Sequence, residues 1–193
     1  MTARGLVAMV LPPTGDAAAR VALALAAQPG CFRAIVLAPS GGASIDGVDH
    51  HRIVPSWLPG RPIRRYAAAI ADALRPLHPA VVEVHDCAEL AALLGGRLRP
   101  IPVVLVVHTD PQAQHGAHDA TARTLLLAQA TRVAALSATL RERMLEGVHP
   151  AMRHCALLPP PDGAFGPAAT AAALDTLRLD ALKAWSRTLH GPI

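Results

Sequence analysis

Aromatic residues are nearly missing from this sequence: two Trp, one Tyr and two Phe make up 3 % of 193 residues. Few base-stacking platforms are therefore on offer, which argues against single-stranded nucleic acid as a partner. Lysine is almost missing too, since Lys183 is the one lysine among 18 basic residues. Charge is scarce at 17 %, and apolar residues at 52 % leave no room for a disordered chain. The net charge of +4 and a pI near 9.6 permit contact with anionic lipid or polyanions, and equally describe an arginine-biased soluble protein. Cysteine is limited to Cys31, Cys87 and Cys155, widely spaced and without a CxxC pair. Neither a disulfide framework nor a zinc knuckle is expected, and a reducing cytoplasm fits this usage best.

Long uninterrupted apolar runs are also lacking. The opening MTARGLVAMVLPPTG is broken by Pro12-Pro13 too soon for a signal peptide or a span. Any membrane contact is expected to be peripheral, at the inner face. No GxGxxG follows the first apolar run, and there is no Walker A lysine motif or GxSxG elbow. Dinucleotide, P-loop and hydrolase readings lose their warrant accordingly.

What the sequence does contain is alternation. Short apolar runs read as strands at 6–11, 33–37, 52–54, 80–85, 102–108, 132–136 and 155–158. Ala/Leu-rich stretches of helical length separate most of them, at 16–28, 64–74, 88–98, 119–130 and 138–146. Runs such as VVLVV are apolar at every position, as strands covered on both faces require. The expected fold is a single Rossmann-like α/β domain over 1–163. Its sheet would be doubly wound and mainly parallel, with helices on both faces. After Pro159-Pro160-Pro161-Asp162-Gly163, residues 168–189 read as one long helix within a 164–193 segment. That helix is expected to dock on the domain through Leu177, Leu182 and Trp185.

Ligands of open parallel sheets bind beyond the carboxyl ends of the strands, so polar residues there are the candidates. The first strand leads to Thr14, Gly15 and Asp16. The fourth ends in Glu83, His85 and Asp86, the fifth in His108, Thr109 and Asp110, the sixth in Ser137. His85, His108 and Ser137 should lie along one edge. An imidazole at His108 can bond a ligand hydroxyl or steady developing charge, or simply cap the strand end through backbone bonds. Asp86 or Asp16 can orient a hydroxyl or serve as base, although an acid at Asp16 also suits the start of a helix. Gly15 lets a ligand approach that helix start, or merely makes the turn. His108, His115 and His118 do not share a helical face, and Gly116 interrupts them, so no metal site is expected. Trp57, Arg61, Arg64 and Arg65 mix aromatic and basic character in a loop entering a helix. They are either the peripheral membrane contact or a packed loop with solvated arginines.

The order of VVEVHDCAELAALL, PVVLVVHTDPQ, TRVAALSATLRERMLEGV and ALLPPPDG resembles the N-terminal, acceptor-side domain of GT-B glycosyltransferases of family 4. The resemblance covers most of residues 5–163. It implies that His108 sits at the cleft floor near the transferred sugar. It implies catalytic roles for His108 and Asp86, and substrate binding by Gly15, Asp16, His85, Thr109, Asp110 and Ser137. The family's paired glycines of the first loop are replaced by Thr14-Gly15-Asp16. Its Asn-Arg-Pro-Glu turn is replaced by Asp86-Cys87-Ala88-Glu89. Its donor-binding domain, with a Glu-seven-residues-Glu motif, is not seen after Gly163. The expected function is thus an acceptor-binding domain that helps transfer sugar from a nucleotide sugar to a cell-envelope glycan or lipid. A donor domain or partner chain would have to supply the donor, and this chain alone should not transfer sugar. No cofactor is expected beyond that nucleotide sugar as co-substrate. The rivals are a non-catalytic glycan- or protein-binding remnant and an unrelated Rossmann-like nucleotide-binding domain.

Overall fold

A computed structural model of the chain describes residues 5–12, 16–39, 48–55, 61–164 and 166–190. Seven strands form one sheet: β1 (Gly5–Val10), β2 (Phe32–Ala38), β3 (Asp49–Arg52), β4 (Val81–His85), β5 (Val103–Val107), β6 (Arg132–Ala135) and β7 (Ala156–Leu157). Every neighbouring pair is parallel, in the order β3-β2-β1-β4-β5-β6-β7. The chain winds outward from β1 in one direction, then restarts at β4 in the other. The sheet is doubly wound, as the alternation of apolar runs and helical stretches indicates. The reversal falls between β1 and β4, and sheets of this kind bind ligands beyond the carboxyl ends of the strands at that point.

Six α-helices cover the sheet: α1 (Asp16–Ala26), α2 (Pro62–Leu74), α3 (Ala88–Arg97), α4 (Ala120–Gln129), α5 (Ala138–Leu145) and α6 (Gly166–His190). One face of the sheet packs Val82, Val84, Leu105 and Val107 against Tyr66, Ile70, Leu90, Leu94 and Leu126 of α2, α3 and α4. The other packs Val7, Met9, Val104 and Val106 against Leu23 of α1 and Leu174, Leu177 and Ala181 of α6. This two-sided burial is why β4 and β5 show no polar alternation to solvent. Tyr66 ties α2 to the end of β1, its hydroxyl donating to the Leu11 carbonyl at 3.0 Å.

Several boundaries differ from the sequence expectation, and two of the differences have a plain physical cause. The third strand is not 52–54 but Asp49–Arg52, with all four residues exposed. An edge strand has no helix on either face, so its residues need not be apolar. Backbone pairing with Ile35 to Ala38 decides its place, and Ile53 is buried just past its end, donating to the Ala38 carbonyl at 2.8 Å. Helix α2 begins at Pro62 rather than Arg64, because proline is well suited to the first helical position.

Helix α6 lies on the domain through Leu174, Leu177 and Ala181, with Leu182 at the margin of that cluster. Trp185 is half-buried beside Arg99, Thr131 and His154. Polar ties add to the apolar ones. Thr170 Oγ1 donates to the Pro159 carbonyl at 2.8 Å, and Arg132 of β6 reaches Asp180 at 2.7 Å. None of the described helices is long and apolar enough to cross a membrane.

Candidate functional site

The site is built from the last residues of β4 and β5. Alternation along β4 sends Val82 and Val84 to the face covered by α2, α3 and α4, and Glu83 and His85 to the α6 face. Neither Glu83 nor His85 has any exposed surface. A buried carboxylate demands partners, and α6 supplies one. Arg178 Nε donates to Glu83 Oε2 at 2.8 Å and its terminal nitrogen to Oε1 at 3.1 Å. Asp175, one helical turn earlier, accepts from Arg178 at 2.7 Å and from the backbone N–H of Cys31 at 2.6 Å. Gly30 is needed there, since a Cβ at that position would stand 2.5 Å from the Asp175 carboxylate. The guanidinium of Arg178 also lies 5.9 Å from the ring centre of Phe32.

The chain continues outward. His85 Nε2 is 2.7 Å from Glu83 Oε1, and His85 Nδ1 is 2.8 Å from His108 Nε2. Arg178, Glu83, His85 and His108 thus form one unbroken hydrogen-bonded line from helix α6 to the carboxyl edge of the sheet. Among the described residues, Nδ1 of His108 has no hydrogen-bond partner although the atom is buried.

Asp86 follows directly, held at a φ of 52°. Aspartate tolerates that left-handed conformation better than most residues because its short side chain bonds locally. Here the carboxylate bonds across to the next strand's end instead. Oδ1 accepts from the backbone N–H groups of His108 at 3.0 Å and Thr109 at 2.9 Å, and Oδ2 accepts from the Thr109 hydroxyl at 2.8 Å. Gln114 donates to the same Oδ1 at 2.8 Å and accepts from the Ala88 N–H at 3.2 Å. Asp86 is therefore the clasp that sets the backbone of His108. The segment carrying Gln114 is held close by Gly116, at a φ of 87°, where a Cβ would come within 2.9 Å of the Glu89 backbone.

The environment separates the charges. Burial works against the anion at Glu83, yet Arg178 and the hydrogen bonds from His85 and Arg178 hold it down at about 2. Burial pushes His108 down to about 3, the adjoining His85 ring adds to this because the two cannot both be cations, and Asp86 and Glu83 pull more weakly the other way. Burial also works against the cation at Arg178, but Glu83 and Asp175 raise it further. The arrangement holds an ionised Glu83 under a neutral His108 at neutral pH. Such a group can accept or donate a hydrogen bond without carrying charge to the sheet edge.

His85, Asp86, His108 and Thr109 are brought together, on the edge where Ser137 also lies. Asp110 turns aside, accepting from the Gln112 N–H at 3.0 Å and facing Arg143 at 3.4 Å. Ser137 caps α5, its hydroxyl accepting from the Leu140 N–H at 3.2 Å. Gly15 and Trp57 lie outside the described residues, and Asp16 is described only as the first residue of α1. Arg61 and Arg64 are exposed at the start of α2, and Arg65 is half-buried. His118 pairs with Asp119 at 3.0 Å, and no group of three or more His, Cys, Asp or Glu among the described residues could hold a metal. Sequence reasoning missed Asp175, Arg178 and Gln114. A signal existed for the first two: an acid and a base three residues apart beside the apolar positions Leu174, Leu177 and Ala181. Nothing in the sequence linked Arg178 to Glu83, 95 residues away.

Three comparisons bear on this geometry. A family model, Glycosyltransferase Family 4, matches residues 17–160. No curated protein matches the chain. Among solved structures, HepE of Anabaena in complex with UDP and glucose aligns with a TM-score of 0.57 at 13 % identity, over 82 % of this chain and 45 % of its own. A glycosyltransferase of Rickettsia africae aligns at 0.57 and 10 % identity, over 81 % and 43 %. The UDP-GlcNAc 2-epimerase of Neisseria meningitidis bound to UDP-GlcNAc aligns at 0.53 and 11 % identity, over 95 % and 49 %. At such identities the likeness is one of fold. The chain spans less than half the length of each of these structures.

Proposed function

Because the chain belongs to glycosyltransferase family 4, we propose that it is the acceptor-side domain of a two-domain enzyme. In this reading it helps move a sugar from a nucleotide sugar to a cell-envelope glycan or lipid, with a donor-binding domain supplied by further chain or by a partner. The observation that carries the reading is the meeting of His85, Asp86, His108 and Thr109 at the sheet's reversal point, in a chain of this family. His108 is the residue that touches the sugar. Its backbone is fixed by Asp86, which acts as a positioning residue with both oxygens engaged. Thr109, whose hydroxyl is held by Asp86, and Ser137 stand on the same edge as further candidate substrate contacts. The exposed Arg61 and Arg64 support a peripheral contact with anionic headgroups, each cation being worth ~1 kcal/mol near such a surface.

Catalysis of this kind needs a cleft closed between two halves, which orients the reactants and excludes water. Calorimetric titration of the chain with UDP-glucose and UDP-N-acetylglucosamine is therefore expected to show little or no binding. Adding a donor-binding domain should restore transfer, and His108→Ala should then lower kcat about a hundredfold. Tight donor binding by this chain alone, unchanged in His108→Ala, overturns the assignment.

A further inference from the structure

The line of hydrogen bonds beneath His108 dictates which of its ring nitrogens carries the proton. Glu83 is an anion whose two oxygens both face donors, with Arg178 on each and His85 Nε2 at 2.7 Å from Oε1. A carboxylate has no proton to give, so the proton between them sits on His85 Nε2. In neutral His85 the other nitrogen, Nδ1, then presents a lone pair to His108 Nε2 at 2.8 Å. Two lone pairs do not meet at that distance, so His108 Nε2 carries the second proton. His108 is neutral, and one nitrogen remains. Its Nδ1 is a bare acceptor, buried and without a partner among the described residues. A buried polar atom left in that state calls for a donor from a ligand.

Resting on the function proposed above, we propose that Arg178, Glu83 and His85 are positioning residues that hold His108 in its Nε2–H form, so that Nδ1 accepts a hydrogen bond from a neutral hydroxyl of the sugar. The same arrangement selects against anionic groups. A phosphate or carboxylate oxygen would set lone pair against lone pair. The line also explains why α6 carries a buried cation: Arg178 fixes the Glu83 carboxylate in the orientation that keeps its oxygen on His85.

The test begins with the unaltered full chain, labelled with nitrogen-15. Long-range proton–nitrogen correlation spectra at pH 7.5, assigned with His85→Gln and His108→Gln, report the state of each ring nitrogen. Protonated Nε2 on both rings and an unprotonated His108 Nδ1 are expected. D-glucose or N-acetyl-D-glucosamine should move the His108 Nδ1 resonance, and inorganic phosphate should not. In Glu83→Gln the line can reverse, so a protonated His108 Nδ1 should appear and the apparent sugar affinity should fall about tenfold, the loss of one hydrogen bond. Arg178→Lys, which keeps the charge, should retain the wild-type pattern. A protonated His108 Nδ1 in the unaltered chain overturns the proposal, and so does a resonance that follows phosphate or ignores both sugars. Because these readouts need no transfer reaction, they can fail while the glycosyltransferase reading stands, or hold while it falls.

Discussion

The two faces of the sheet solve the same problem with different chemistry. Toward α2, α3, α4 and α5 the buried layer is filled by apolar residues such as Ile70, Leu90, Leu105 and Leu126, and the buried Arg123 of α4 is tied to the backbone carbonyls of Ala117 and Glu146. Toward α1 and α6 the layer carries Glu83, His85, Asp175 and Arg178 among its valines and leucines. Strand β4 contributes to both within five residues. The apolar face needs only volume, and tolerates exchange among side chains of similar size. The polar face needs partners in register, because a buried ion left without one is costly however well its surroundings pack. One face therefore builds the domain. The other brings a fixed, neutral imidazole to the edge where the strands end.

Breaking the ion line should have the largest effect. Arg178→Met strands the Glu83 carboxylate, and a loss of about 3–5 kcal/mol is expected from the urea unfolding midpoint. The triple variant Glu83→Leu, Asp175→Asn and Arg178→Met removes all three buried charges and should recover most of that loss, whereas the double variant Glu83→Leu with Arg178→Met, which leaves Asp175 only the Cys31 N–H, should recover part of it. A triple variant as unstable as the single one would show that packing of the long Arg178 stem, not its charge, is what matters. A deletion on the apolar face gives the contrast. Leu90→Ala should cost about 3 kcal/mol through its cavity, with no change at the ring nitrogens of His108. A shift of the His108 resonances in Leu90→Ala would show that the two faces are not separate.

Acid sharpens the same comparison. The folded value of His108 lies below its unfolded value of 6.5, at about 3. Between those values the unfolded chain binds more protons, so stability falls as pH drops from 6.5. Over the first two pH units the loss should be roughly 2 kcal/mol. Glu83 adds a loss of the same sign from 4.5 toward about 2. Denaturant melts of His108→Gln should lose the upper part of this dependence while keeping the lower. An unaltered slope between pH 6.5 and 4.5 in that variant would move the effect to another group.

Much of this architecture was legible in the residues themselves. The strands at β1, β2, β5 and β6 are apolar at most positions, and that pattern fits a parallel sheet covered on both sides. It also put His85, His108 and Ser137 on one edge, because parallel strands all end on the same side. The third strand was misplaced because Asp49-His50-His51-Arg52 has no buried face to leave a mark in the sequence. The family's motif order, read from 5–163, agrees with the match over 17–160.

What the amino acids determined alone was local: periodicity, helix starts such as Pro62, and the class of fold that buries such runs. Which polar groups meet was decided only in three dimensions. Glu83 and Arg178 are 95 residues apart, and Asp175 and Cys31 are 144 apart. No periodicity encodes such a pair. Asp86 looked like a free acid after a strand, and folding spent its oxygens on the His108 and Thr109 backbone. The physical reason is that hydrophobic burial is additive and non-directional, so a one-dimensional pattern carries it. A hydrogen bond or ion pair depends on the distance and direction between two particular atoms, and those exist only once the sheet and α6 have packed.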